Sequence, residues 1–248
     1  MKDLVGLVAV RTSSKRLKNK AFRKIKGREI LNILIDRLLE TPYLDDFVIC
    51  TTVNSLDDSI EKLCLERGVK FFRGEEKNVL SRFINASKIT PSKYVARITG
   101  DNPLSDFKQM YNCYKFVLEN NLDYSRPEGL PYGTAIEVIK FSSLEKIYSS
   151  TLTPELSEYM TYFFELADFV KKDLYIVSEK SKMPDLRLTI DYEEDIEFMN
   201  KIFKNFEKVP ELEEVVSYCK SLESYPRADF KIDYDKISKI KSSIKFKE

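Results

Sequence analysis

The chain has 248 residues, 41 lysines and arginines against 40 aspartates and glutamates, a formal net charge of +1 and 43% hydrophobic residues. At roughly 150 residues per domain this fits one large domain, or one domain with a small lobe, and the charge balance gives no global pull toward nucleic acid or an anionic membrane. The absence of histidine excludes histidine-dependent triads, histidine acid–base catalysis and histidine-ligated zinc, leaving carboxylates, lysine, arginine, hydroxyls or an oxygen-ligated metal to do chemistry.

Residues 4–10 form a continuous apolar run, as in a strand buried on both faces. A basic loop follows. Ile30, Leu31, Ile33, Leu34, Leu38 and Leu39 then recur at helical spacing until Thr41 and Pro42 stop the helix. Strands are expected at 47–50, 69–72 and 94–98, with helices at 57–67, closed by Gly68, and at 78–88. This alternation means a parallel sheet with right-handed crossover helices, an open α/β layer structure. Farther on, helices are expected at 106–120, 141–149, 154–167, 193–206 and 211–218, and strands at 134–139, 174–177 and 186–190. One α/β domain spans 1–225, with 125–180 as a candidate inserted lobe. The lysine-rich tail 226–248 has few apolar residues and is expected to be loosely held.

The four cysteines, Cys50, Cys64, Cys113 and Cys219, are far apart, lie in apolar contexts and form no CxxC pair. They read as buried thiols of a reducing compartment. The first apolar run falls far short of the roughly 20 residues that span a bilayer, and it is a poor signal peptide. A cytoplasmic protein without membrane or nucleic-acid partners is expected.

Open α/β sheets bind ligands beyond the carboxyl ends of their strands. After the first strand, residues 11–20 read RTSSKRLKNK. Basic side chains interleaved with hydroxyls suit a polyphosphate, although the segment contains no glycine and is not a P-loop. Asp101 stands beside Gly100 just after the fourth strand, and Asp191 ends the apolar run 186–190. Such strand-end carboxylates suit Mg²⁺, which takes one or two carboxylates together with substrate phosphates. Asp195 reads as a first-turn residue of the next helix.

Arg11-x-x-Ser14-x-Arg16-Leu17-x-x-Lys20 resembles the RxxSxRLxxK loop of cytidylyltransferases, among them the acylneuraminate and 3-deoxy-manno-octulosonate enzymes and, most closely, the SpsF-like spore-coat-polysaccharide branch. Further matches follow in order: Cys50-Thr51-Thr52, Phe72-Arg73-Gly74, Val79 to Phe83, Arg97 to Pro103, Pro131-Tyr132-Gly133 with Glu137, Glu158 to Thr161, and Leu186 to Asp191. The resemblance implies an open, mostly parallel, Rossmann-like sheet of the nucleotide-diphospho-sugar transferase type. It also implies that Arg11, Arg16 and Lys20 hold the triphosphate of CTP, with Ser14 in the same loop. Asp101 and Asp191 would hold Mg²⁺. Thr51, Arg73, Ser81 and Arg82 would lie near the cytidine, and Tyr132, Glu137 and Glu158 near the acceptor. A homodimer is implied too, and Met160, Phe163 and Phe164 would serve either its interface or the core. Two departures stand out. Lys18-Asn19 replaces a common Pro-Gly, and Tyr159 replaces a common histidine.

The implied reaction is attack of an acceptor oxygen on the α-phosphorus of CTP with loss of pyrophosphate, giving a CDP- or CMP-activated sugar, polyol or sugar acid. Positioning and charge neutralisation can carry it without histidine. A phosphate acceptor needs no general base, since its second pKa is about 6. A glycosyltransferase of related fold and a non-catalytic nucleotide-binding protein are the alternatives.

Overall fold

Successive residues of a strand point to opposite faces, so an unbroken apolar strand needs cover on both. In the computed structural model, which describes residues 1–14 and 16–247, strand β1 (Lys2–Ala9) directs Leu4 and Val8 to one face and Val5 and Leu7 to the other. A short hairpin, β2 (Lys24–Ile25) and β3 (Arg28–Glu29), leads into α1 (Ile30–Glu40). Then come β4 (Asp46–Thr52), α2 (Asp58–Arg67), β5 (Phe71–Gly74), α3 (Val79–Ala86), β6 (Ser92–Thr99) and α4 (Phe107–Glu119). The second half holds β7 (Tyr124–Ser125), β8 (Pro127–Glu128), β9 (Glu137–Lys140), α5 (Phe141–Ser150), α6 (Met160–Leu166), β10 (Tyr175–Ile176), α7 (Glu193–Lys204), α8 (Leu212–Lys220) and α9 (Tyr234–Ser243).

The main sheet runs β5-β4-β1-β6-β9-β7. Its first four strands are parallel, β9 runs antiparallel to β6, and β7 antiparallel to β9. Helices α1, α2 and α4 cover one face; α3, α5, α6 and α9 cover the other. A third apolar cluster joins α7 and α8 to the chain around Leu186, Leu188 and Ile190. This is the mostly parallel α/β sheet with helices on both faces that the alternation leads one to expect. The four cysteines are free and buried. Among the described residues, no helix is long and apolar enough to cross a membrane.

Five segments differ from the sequence reading. The third strand starts at Phe71, because the Val69 amide still donates to the Cys64 carbonyl (3.0 Å) in closing α2. The helix expected at 154–167 is a 3₁₀ turn, Pro154–Tyr159, followed by α6. Buried Ser157 ties that turn to α3: its hydroxyl donates to the Pro154 carbonyl (2.5 Å) and accepts from the Leu80 amide (3.2 Å). Residues 186–190 form no strand. They run between isolated bridges, Tyr132 with Arg187 and Leu186 with Arg227, because the left-handed Gly133 (φ 99°) turns the chain away after Tyr132 and Pro226 cannot donate back to Arg187. Segment 125–180 divides, with β9 in the main sheet and β8 paired to β10 beside it. Met160, Phe163 and Phe164 are wholly buried core residues.

The fifth difference is the tail. Asp233 caps α9, accepting from the Lys236 amide (2.9 Å). Ile240 and Ile244 enter the second core cluster, and Phe246 packs edge-on against Phe163 and Phe169. The chain end also pairs with the end of α5: the Leu152 amide donates to the Lys245 carbonyl (2.9 Å) and the Lys247 amide to the Ser150 carbonyl (2.7 Å). Few apolar residues suffice, because they are spaced to face the core. Ile240→Ala is therefore expected to cost about 2 kcal/mol or more of stability, the usual range for truncating a buried isoleucine. Denaturant unfolding checks this, and an unshifted midpoint would mean that α9 is not docked in solution.

Candidate active site

The carboxyl ends of β1, β4 and β6 lie together at one edge of the sheet, and the candidate residues follow them. The Gly100 amide donates to the Ala9 carbonyl (2.8 Å), fastening the end of β6 to that of β1. A Cβ at Gly100 would stand 2.5 Å from the Cβ of Val10, so glycine is what allows Asp101 to approach the β1 loop so closely.

Lys20 begins a short 3₁₀ turn after Asn19, whose left-handed backbone (φ 53°) turns the chain back toward the sheet. Its ammonium donates to Asp101 Oδ2 (2.6 Å) and Asp191 Oδ1 (2.8 Å). The side chains of Lys20 and Asp191 are each 9% exposed, and that of Asp101 31%. Burial opposes the charged form of Lys20, but the two carboxylates outweigh it and hold its pKa above the ordinary value. For Asp191, burial pushes the carboxyl up, and Lys20, Arg16 and Arg187 together pull it below the usual range.

Asp191 is held from behind. Arg187, 2% exposed, donates from Nη2 to Asp191 Oδ2 (3.1 Å) and Asp195 Oδ2 (3.1 Å), and from Nε to Asp195 Oδ1 (2.8 Å). Asp195 Oδ2 also accepts from the Asp191 and Tyr192 amides (2.8 and 2.9 Å), so the acid that closes the first turn of α7 locks the whole corner. Asp191 Oδ1 is left to face the β1 loop, where Arg16 Nη2 also donates to it (2.7 Å).

The rest of the loop is charge-matched as well. Arg11 Nη2 donates to Glu158 Oε1 (2.6 Å), its Nη1 lies 3.6 Å from Glu76, and the Ser13 hydroxyl donates to Glu76 Oε1 (2.6 Å). Asp57, fully buried, accepts from the Thr12 amide and hydroxyl and from the hydroxyls of Thr51 and Thr52. Burial raises its pKa, and these donors more than reverse that. The Ser14 hydroxyl accepts from the Leu17 amide (3.3 Å), shaping the turn. Lys15 lies outside the described residues.

Thus Arg16, Lys20, Asp101 and Asp191 meet beyond the end of β6, and Arg11 lies in the same loop. Glu158 joins them through Arg11. Tyr132, 45% exposed, presents its ring to Arg187 (5.6 Å from the centroid). Others sit differently. Thr51 is wholly buried and engaged by Asp57, so it supports the loop from beneath. Arg73 uses its guanidinium on the Thr52 and Asn54 carbonyls and on Glu61 and Asp58, bracing the loop after β4. Ser81 and Arg82 are 8% and 3% exposed. Arg82 Nη1 donates to the Glu75 and Glu76 carbonyls, and burial lowers its pKa. Glu137, 4% exposed, accepts from Arg97 (3.1 Å) and Thr161, a cross-strand pair inside the wall. Arg187, Asp195, Asp57 and Glu76 are site residues that the sequence reading assigns no role there. A lone arginine inside the apolar run 186–190 was the available signal.

The residues present suit Mg²⁺. Two carboxylate oxygens, one after β6 and one before α7, already converge on one cationic nitrogen, and the donors are hard oxygens. Among the described residues no group of three or more His, Cys, Asp or Glu is placed to hold a metal by itself. A cation here would therefore share Asp101 and Asp191 with oxygens of a phosphorylated ligand.

Asp101→Asn is expected to abolish turnover while leaving the unfolding midpoint in place. Near-normal activity would contradict the role given to Asp101. The lowered pKa of Asp191 also sets a pH dependence. A carboxyl whose folded value is below its unfolded value of about 3.9 stabilises above that value and loses the contribution as pH falls through the folded value. The stability loss of the wild type between neutral pH and pH about 3 should accordingly exceed that of Asp191→Asn, as measured by denaturant melts at both pH values.

Comparison with known proteins agrees with this geometry. The family model for cytidylyltransferases matches residues 5–224. An uncharacterized protein of Methanocaldococcus jannaschii is 37% identical over 207 residues, 83% of this chain and 85% of the relative. The spore coat polysaccharide biosynthesis protein SpsF of Bacillus subtilis is 27% identical over 218 residues, 86% of this chain and 91% of its own. Among solved structures, a cytidylyltransferase from Leptospira borgpetersenii superposes with a TM-score of 0.81 at 26% identity, covering 89% of this chain and 94% of that one. An enzyme is thereby favoured over a non-catalytic binding protein, and nucleotidyl transfer over glycosyl transfer. The chain belongs to the cytidylyltransferase family and is a nucleotidyltransferase that uses CTP.

Proposed function

We propose that the protein transfers the cytidylyl group of CTP to an anionic small-molecule acceptor, a sugar or polyol phosphate or a sugar acid, to form an activated precursor for surface polysaccharide. The observation that carries this reading is the convergence of Arg16 and Lys20 on the carboxylates of Asp101, after β6, and Asp191, before α7, with Arg11 of the same loop held by Glu158. Arg11, Arg16 and Lys20 are each paired with a carboxylate, so a triphosphate entering the loop exchanges one set of anions for another at these three groups.

In the proposed reaction an acceptor oxygen attacks the α-phosphorus, the bond from that phosphorus to the bridging oxygen breaks, and pyrophosphate leaves. Arg11 and Arg16 turn from Glu158 and Asp191 toward the phosphates and orient them. Lys20 moves from the two aspartates to the leaving pyrophosphate, countering the charge that develops there. Mg²⁺ held by Asp101 and Asp191 would supply Lewis-acid polarisation of the α-phosphate. Arg187 and Asp195 keep Asp191 turned toward the reacting groups. An acceptor phosphate is already ionised near neutral pH, which removes the need for a general base in a chain without histidine. SpsF acts in polysaccharide biosynthesis by name, and its likeness supports that destination for the product. A cytoplasmic homodimer is part of the same reading.

Pyrophosphate release should require both CTP and an acceptor when CTP, UTP, ATP and GTP are compared against sugar and polyol phosphates and 2-keto sugar acids. Release with another nucleotide in preference would overturn the choice of base. Arg16→Ala should weaken CTP about tenfold or more, as for a lost charged hydrogen bond. An unchanged CTP affinity in isothermal titration would remove Arg16 from the site.

A further inference from the structure

The family match ends at residue 224, yet the chain beyond it returns to the site. The Arg187 amide donates to the Pro226 carbonyl (2.9 Å) and the Ala228 amide to the Asp185 carbonyl (2.8 Å), so residues 226–228 run alongside the segment that leads to Asp191. Phe230 then packs edge-on against Tyr192 (5.9 Å between centroids), with the guanidinium of Arg187 5.9 Å from its ring.

Two lysines follow. Lys231 adopts the left-handed backbone region (φ 55°), unusual for a side chain of its kind. That turn places its ammonium 4.4 Å from the Tyr192 centroid and 4.6 Å from that of Phe230, and 2.9 Å from Glu194. Lys236, on the first turns of α9, holds its ammonium 5.7 Å from the Tyr159 centroid. Tyr159 adjoins Glu158, the partner of Arg11. Among the described residues Lys236 has no carboxylate within 4.0 Å, whereas Arg11, Arg16 and Lys20 all do. Anchored by Ile240 and Ile244 and capped by Asp233, α9 is a fixed support for it.

We propose that the segment 226–236 forms the outer wall of the acceptor pocket, with Lys236 and Lys231 binding the acceptor's acid group, a phosphate or a carboxylate. The proposal rests on the cytidylyl-transfer reading above, since it takes Tyr132 and Glu158 as the acceptor side. It adds that acceptor choice is made in part by a piece of chain outside the family match. The loop cations serve the triphosphate, and these two ammoniums, set on the rim over aromatic rings, serve a second anion. The aromatic faces hold the two ammoniums themselves, fixing them at the rim where a ligand's acid group can reach them.

The test is the double variant Lys231→Asn and Lys236→Gln. Asparagine tolerates the left-handed backbone, and both lysines are exposed, so the unfolding midpoint should hold. A polyol phosphate, a 2-keto sugar acid and a neutral sugar are compared as acceptors. The KM of an acidic acceptor should rise about tenfold or more while the KM of CTP stays as in the wild type. Which of the two acids responds identifies the group bound. Equal KM values in wild type and variant overturn the proposal, and so does a matching rise for CTP. If the wild type turns over none of these acceptors, the reaction reading fails, and equilibrium titration of the two acids in the presence of CTP still decides the wall. Binding to the wild type that weakens about tenfold in the variant supports it, whereas equal binding, or binding to neither, overturns it.

Discussion

One ammonium between two carboxylates organises this molecule's working edge. Lys20, Asp101 and Asp191 come from the end of the β1 loop, the end of β6 and the approach to α7, segments far apart in sequence. Losing Lys20 would leave two carboxylates facing each other, whereas Asp101 is 31% exposed and Asp191 still partners the ammonium when Asp101 is neutralised. The neighbouring features read as provisions for that contact. Gly100 lets β6 end against β1, the left-handed turn at Asn19 brings Lys20 inward, and Arg187 with Asp195 fixes the orientation of Asp191.

The same contact explains how a loop so rich in positive charge remains compact without a ligand. Arg11, Arg16 and Lys20 would repel one another if bare. Glu158, Asp191 and Asp101 neutralise them, and buried Asp57 ties down the backbone between them. The arrangement is thus poised for anion exchange. In the proposed reaction, a triphosphate would supply more negative charge than the carboxylates it displaces and free the aspartates for a divalent cation, linking substrate and metal through a single lysine.

Much of this was legible in the sequence. The unbroken apolar run 4–10 called for a strand covered on both faces, and β1 is that strand. Short continuous apolar runs alternating with stretches of helical spacing located the first half, because local pattern and tertiary packing agree there. Asp101 and Asp191 stood out as charges at the ends of apolar runs. What stayed hidden depends on contacts distant in sequence. Residues 186–190 have a strand's composition but only single-residue bridges, since a turn at Gly133 ends one flanking partner and Pro226 interrupts the other. Thr51, Arg73 and Glu137 match the family pattern, yet they serve as braces, their polar atoms engaged by Asp57, by the loop after β4 and by Arg97. The tail's sparse Ile240, Ile244 and Phe246 carried too little periodic signal to reveal a docked helix.

The most direct test of the central contact is a crystal structure with CTP and Mn²⁺, the metal located by its anomalous scattering. The expected result is a metal peak bridging Asp101, Asp191 and the phosphates, with the Lys20 ammonium moved onto a phosphate oxygen. A metal bound elsewhere, or Lys20 still wedged between the two aspartates with nucleotide in place, would contradict the account.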